Sequence, residues 1–114
     1  MPNFETVGSI NLQSGDRMPW NFYIPPAESV TVKGAIPYNT TVASVSVTAY
    51  DEDENDVTSQ LISGSPAVED NVISVVLTYP VTAGDGRYKL TFECTLSTGY
   101  VRQFDFERVI ARNK

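Results

Sequence analysis

Gly84-Asp85-Gly86-Arg87-Tyr88-Lys89-Leu90-Thr91-Phe92-Glu93-Cys94-Thr95-Leu96 decides the fold. From Tyr88 onward every second residue is apolar (Tyr88, Leu90, Phe92, Cys94, Leu96), and every residue between them is polar. A strand turns successive side chains to opposite faces, so this stretch is a β-strand with one face in a core and the other in water. Glycine and aspartate lead into it, and Ser97-Thr98-Gly99 turns the chain out of it.

The same alternation recurs on both sides. Val30 and Val32 make a short strand bounded by Gly34 and Pro37, and Ala43, Val45, Val47 and Ala49 alternate with Ser44, Ser46 and Thr48. After an acidic turn the stretch Val57 to Ile62 reads as a strand, followed by a loop holding Gly64 and Pro66. Ile73, Val75, Leu77 and Tyr79 alternate up to Pro80. The last strand, Tyr100 to Ala111, sets Phe104, Phe106 and Ile110 against Gln103, Asp105 and Glu107. No segment keeps a helical period. Turn signals at this spacing predict an all-β fold, an immunoglobulin-like β-sandwich of about seven to eight antiparallel strands. Its inner face is Val45, Val47, Ile73, Val75, Leu77, Tyr88, Leu90, Phe92, Leu96, Phe104 and Phe106. In such a sandwich a Tyr opening the penultimate strand bonds back to the preceding loop, which is the role expected of Tyr88.

Residues 1–28 read as an N-terminal arm or a pair of edge strands, with 29–114 as the sandwich. Ser9-Ile10-Asn11-Leu12 is followed by the turn Gln13-Ser14-Gly15-Asp16. Trp20, Phe22 and Ile24 then alternate before Pro25-Pro26, which removes two N–H donors and reads as a hinge. Phe4, Trp20, Phe22 and Ile24 are more apolar surface than a solvent-facing arm carries, which makes them candidate docking residues.

Bulk properties narrow the function. A chain of 114 residues is one domain. It holds no apolar run near the ~20 residues of a membrane helix. Met1-Pro2-Asn3-Phe4-Glu5 lacks the basic start and apolar core of a secretory signal, so synthesis and assembly in the cytoplasm are expected. The net charge is −6, and residues 1–84 hold ten acids against Arg17 and Lys33. Phosphate contacts need clustered Lys and Arg, so a nucleic-acid partner is not expected.

Catalytic chemistry finds little to stand on. The chain has no His, which excludes Ser-His-Asp and Cys-His arrangements, and its single cysteine, Cys94, reads as a small buried strand residue. No phosphate-cradling glycine motif precedes a helix. In Asp51-Glu52-Asp53-Glu54-Asn55-Asp56, the residues Asp51, Asp53 and Asn55 fall at the first three ligand positions of a calcium loop. Asp56 then stands where that loop needs Gly, and Ile62 where it needs Glu. The stretch reads as a solvated turn, and neither cofactor nor metal is expected. Trp20, Phe22, Tyr23, Tyr38, Tyr50 and Tyr100 are the aromatics available for stacking on a sugar, although Trp20 and Phe22 share parity and read rather as core, or as packed against a neighbouring subunit.

From Val45 to its end, the chain resembles small immunoglobulin-like virion proteins of tailed bacteriophages, the fibre–tail adaptor proteins in particular. The resemblance lies in an ordered set of pieces. After a strand and an acidic turn comes Val57-Thr58-Ser59-Gln60-Leu61-Ile62-Ser63-Gly64, then Val75-Val76-Leu77 before the bend at Thr82-Ala83-Gly84. Asp85 to Cys94, a Thr-Gly hairpin and the ending Phe104-Asp105-Phe106-Glu107-Arg108-Val109 complete it. The N-terminal third departs from the pattern. The resemblance implies a non-enzymatic neck, tail or fibre-junction component, assembled in the host cytoplasm into the virion. Its partners would be other virion proteins and copies of itself, met through strand edges, the arm and loops. The alternative from the residues is a carbohydrate- or surface-binding, adhesin-like module.

Overall fold

A computed structural model describes residues 9–29 and 34–112. The described chain forms seven strands and one helical turn: β1 (Ile10–Gln13), β2 (Arg17–Tyr23), β3 (Val42–Tyr50), α1 (Thr58–Leu61), β4 (Ile62–Glu69), β5 (Val72–Thr78), β6 (Gly86–Leu96) and β7 (Val101–Arg112). They make two sheets, one of four strands in the order β1-β7-β6-β3 and one of three in the order β2-β5-β4. The chain crosses between the layers at β1–β2, β2–β3, β3–β4 and β5–β6 and stays in one sheet at the β4–β5 and β6–β7 hairpins, as in an immunoglobulin-like sandwich. All neighbours are antiparallel except β1 and β7, which run parallel where an antiparallel set was expected.

The expected inner face is buried throughout, apart from Val45, which is half-buried. Phe22 of β2 lies between layers at the centre of this core. Its ring centroid is 4.8 Å from that of Phe92 and 5.4 Å from that of Phe106, tilted or edge-on to both. Such aromatic pairs add ~0.5–1.5 kcal/mol to what burial alone supplies.

Of the two readings of the N-terminal part, arm or edge strands, the described residues take the second. Residues 10–23 are edge strands of the sandwich itself, β1 on β7 and β2 on β5, and no free-standing arm begins at Ile10. The diproline is no hinge either. Pro26 bridges Ile36, the Ala35 N–H donates to the Pro25 carbonyl at 2.8 Å, and the Ala27 N–H donates to the Ile36 carbonyl at 2.9 Å. The short strand expected at Val30 and Val32 lies outside the described residues.

Four further differences have local causes. Val57 to Ile62 is not a strand: Asp56 Oδ1 accepts from the Thr58 N–H at 2.9 Å and from Thr58 Oγ1 at 2.6 Å, which starts a helical turn. Val57 and Leu61, four apart, both point into the core from it. β4 then starts at Ile62 and runs through Gly64 and Pro66 with a register shift, where a loop was expected. A shift between Val42 and Ser44 buries Val42 and leaves Ala43 exposed. On β7 the register slips between Phe106 and Val109, so Val109 and Ala111 face the core in place of Ile110.

Candidate functional site

The sandwich has two ends, and the strand directions decide which loops share each. Tyr23 pairs with Val72 and Val42 pairs with Leu96. One end therefore gathers the β2–β3 connection, the β4–β5 turn and the β6–β7 turn. These are tied across both layers by hydrogen bonds. Asp70 and Asn71 both have positive φ, 52° and 64°, as a two-residue hairpin turn requires. The buried Asn71 then reaches out of that turn: its carbonyl accepts from the Ile24 N–H at 2.8 Å, and its Oδ1 accepts from the Val42 N–H at 2.8 Å. Thr41 continues the chain of bonds, since its carbonyl accepts from the Ser97 N–H at 2.8 Å while its N–H donates to Ser97 Oγ at 3.2 Å. Thr40 Oγ1 donates to the Pro37 carbonyl at 2.5 Å and fixes the bend that presents Tyr38.

This fixed platform carries exposed apolar surface. Among the described residues six large apolar side chains are exposed, and four of them lie here: Tyr23 (42%), Tyr38 (50%), Tyr100 (76%) and Val101 (57%). Around them stand Asn39, Thr41, Ser97, Thr98 and Gly99. Tyrosine gives large contact area at low entropic cost, and small polar residues give adaptable hydrogen bonds, the composition of binding loops on this architecture.

The four residues singled out in the sequence do not form this site. Phe22 and Ile24 are corrections: both are fully buried in the core and offer nothing to a partner. Trp20 is half-buried against the same core, and its indole N–H is buried with no acceptor among the described residues. Phe4 lies outside the described residues. Shared parity left Trp20 and Phe22 either core or packed against a neighbouring subunit, and the structure puts Phe22 in the core. Tyr23, next in sequence, points the other way and is exposed.

The opposite end holds the acidic turn and the loop leading into β6. Asp51 Oδ1 accepts from the N–H groups of Asp53 and Asn55, each at 2.9 Å, and its Oδ2 accepts from Asn55 Nδ2 at 3.2 Å. These bonds, that from the Asn55 backbone foremost, hold its carboxyl below the usual carboxylate range. Among the described residues no three acidic or cysteine side chains converge as metal ligands. Tyr88 Oη donates to the Gly84 carbonyl at 2.5 Å, the bond expected of it. An open groove of about 450 Å³ lies beside this loop, between Glu52 and the paired ends of β6 and β7. Cys94 is buried in the core, and burial pushes its thiol up to about 11, far from a nucleophile's range.

Strand edges offer less to a partner than expected. β1 is four residues long, and β2 carries Pro19. β4 carries Gly64, Pro66 and its register shift. β3 has its lower edge covered: the Ala49 carbonyl accepts from the Val57 N–H at 2.8 Å, and the Ala49 N–H donates to Thr58 Oγ1 at 2.9 Å. Short edges, prolines, bulges and covering loops are the devices that block strand addition.

No family model matches the chain, and no curated protein sequence matches it. Among solved structures it is similar to titin domains Z1Z2, determined in complex with telethonin. That match has 15% sequence identity and a TM-score of 0.42, and covers 93% of this chain and 43% of the titin chain. The immunoglobulin-like assignment rests on the strand order described above.

Proposed function

We propose that this chain is a non-enzymatic structural component of a tailed-bacteriophage virion, working at a neck, tail or fibre junction by docking onto other virion proteins. The observation that carries the docking half of this reading is the concentration of Tyr23, Tyr38, Tyr100 and Val101 on one hydrogen-bonded end of the sandwich. Blocked edges leave loops as the route to partners. Particle and position come from the sequence resemblance.

Exposed tyrosines also suit a sugar, because a pyranose ring stacks on an aromatic face. The two readings separate cleanly. Quantitative mass spectrometry of gradient-purified particles from the encoding phage is expected to find the chain at a fixed multiple-copy ratio to the major tail proteins. Its absence there, with saturable binding of the isolated chain to a defined neutral oligosaccharide, would replace the virion reading with the adhesin-like one.

A further inference from the structure

We infer that copies of this chain associate head to tail: Tyr100 and Val101, at the tip of the β6–β7 hairpin of one copy, seat in the groove at the base of the same hairpin in the next. The inference deepens the docking reading above and rests on it. It joins two features at opposite ends of one hairpin. The tip, Ser97-Thr98-Gly99-Tyr100-Val101-Arg102, presents the most exposed aromatic ring among the described residues. The groove is lined by Glu52, Asp85, Gly86, Arg87, Ile110, Ala111 and Arg112.

Size and charge both match. About 450 Å³ falls within the range of small binding sites and admits a tyrosine side chain with the valine beside it. A phenol ring in this groove has Arg87 and Arg112 in its lining, two cations to which its face is attractive. Arg102 is the one charge in the tip; the groove sets Glu52 and Asp85 beside its two arginines, and the neighbouring Asp51–Asp56 turn adds the acidic excess that Arg102 meets. The β7 register slip that turned Ile110 away from the core leaves it in the groove's lining. A hairpin strand of eleven residues spans roughly 35 Å at the usual rise, so a tip cannot reach its own groove. The contact is therefore between copies and joins two different surfaces; repeated head to tail, it makes a ring or a filament. One tip in one groove buries little area, so a single contact is weak and assembly relies on repetition.

The test is sedimentation velocity on the full chain, from roughly 10 μM to roughly 1 mM, where a weak contact of this size becomes populated. The weight-average mass is expected to rise with concentration. Tyr100→Ala and Ile110→Lys are each expected to weaken association by roughly tenfold or more, with thermal melts confirming that both fold. Arg112→Glu, at an exposed position, serves as the groove variant if Ile110→Lys does not fold. The deciding sample is an equimolar mixture. Tyr100→Ala keeps its groove and the groove variant keeps its tip, so the two pair and stop at two copies, although neither associates alone. A wild-type chain that stays monomeric at the top concentration overturns the inference, as do variants that associate like wild type or a mixture of folded variants that does not pair. These outcomes concern self-association only; presence in the particle is read separately by mass spectrometry.

Discussion

Tyr79 and Tyr88 close the loop into β6 from its two ends, with different acceptors. Tyr88 bonds the Gly84 carbonyl, and Tyr79 Oη donates to Asp85 Oδ1. Tyr88 was legible because an apolar-parity tyrosine opening the penultimate strand has one habitual structural role. The partner of Tyr79 was not: its ring falls in the alternation of β5, and nothing in that pattern says where its hydroxyl goes. The hydrogen bond to Asp85, with burial and the carboxylate charge adding to it, pushes the Tyr79 phenol up to about 12 from an ordinary 10.0. The folded state therefore holds this proton more tightly than the unfolded state. Its stabilisation is complete below about pH 10 and is lost as pH rises through about 12. Urea midpoints measured across that window are expected to fall more steeply for wild type than for Tyr79→Phe. Equal slopes would remove Tyr79 from the account. Phe22 shows the limit of residue reading: alternation left it either core or packed against a neighbouring subunit, and the sheet order decides for the core.

At the scale of elements, the long alternating runs β5 and β6 were legible because they hold one register over most of their length. What was missed lies where the chain changes phase. β7 slips by one residue beside Glu107-Arg108, and α1 forms because Asp56 offers Thr58 a local bond that competes with a ladder. The β2–β3 connection is another such place. Gly34 passes so close to Pro26 and Ala27 that a Cβ on it would meet the Ala27 backbone nitrogen and the Pro26 carbonyl carbon. Backbone cannot give way as a side-chain end can. Gly34→Ala is therefore expected to cost ~1–3 kcal/mol, the usual range for forced overpacking. A denaturant midpoint unchanged from wild type would contradict the close approach.

Over the whole molecule, docking is proposed for one end of the sandwich, where four of the six exposed large apolar side chains among the described residues lie. The fold class was readable because two-residue periodicity repeats in strand after strand. The proposed docking end was not, because Tyr23, Tyr38 and Tyr100 come from separate connections gathered at one end by the Asn71, Thr41 and Ser97 bonds. The measurement that tests the central claim most directly is incorporation of the Tyr38→Ala/Tyr100→Ala double variant into particles, against a thermal melt of the same protein. Both side chains are exposed, so the account predicts a melt within about 0.5 kcal/mol of wild type, together with loss of the chain from purified virions. A folded double variant that enters the particle at the wild-type copy ratio would contradict the claim that this end of the sandwich is what docks.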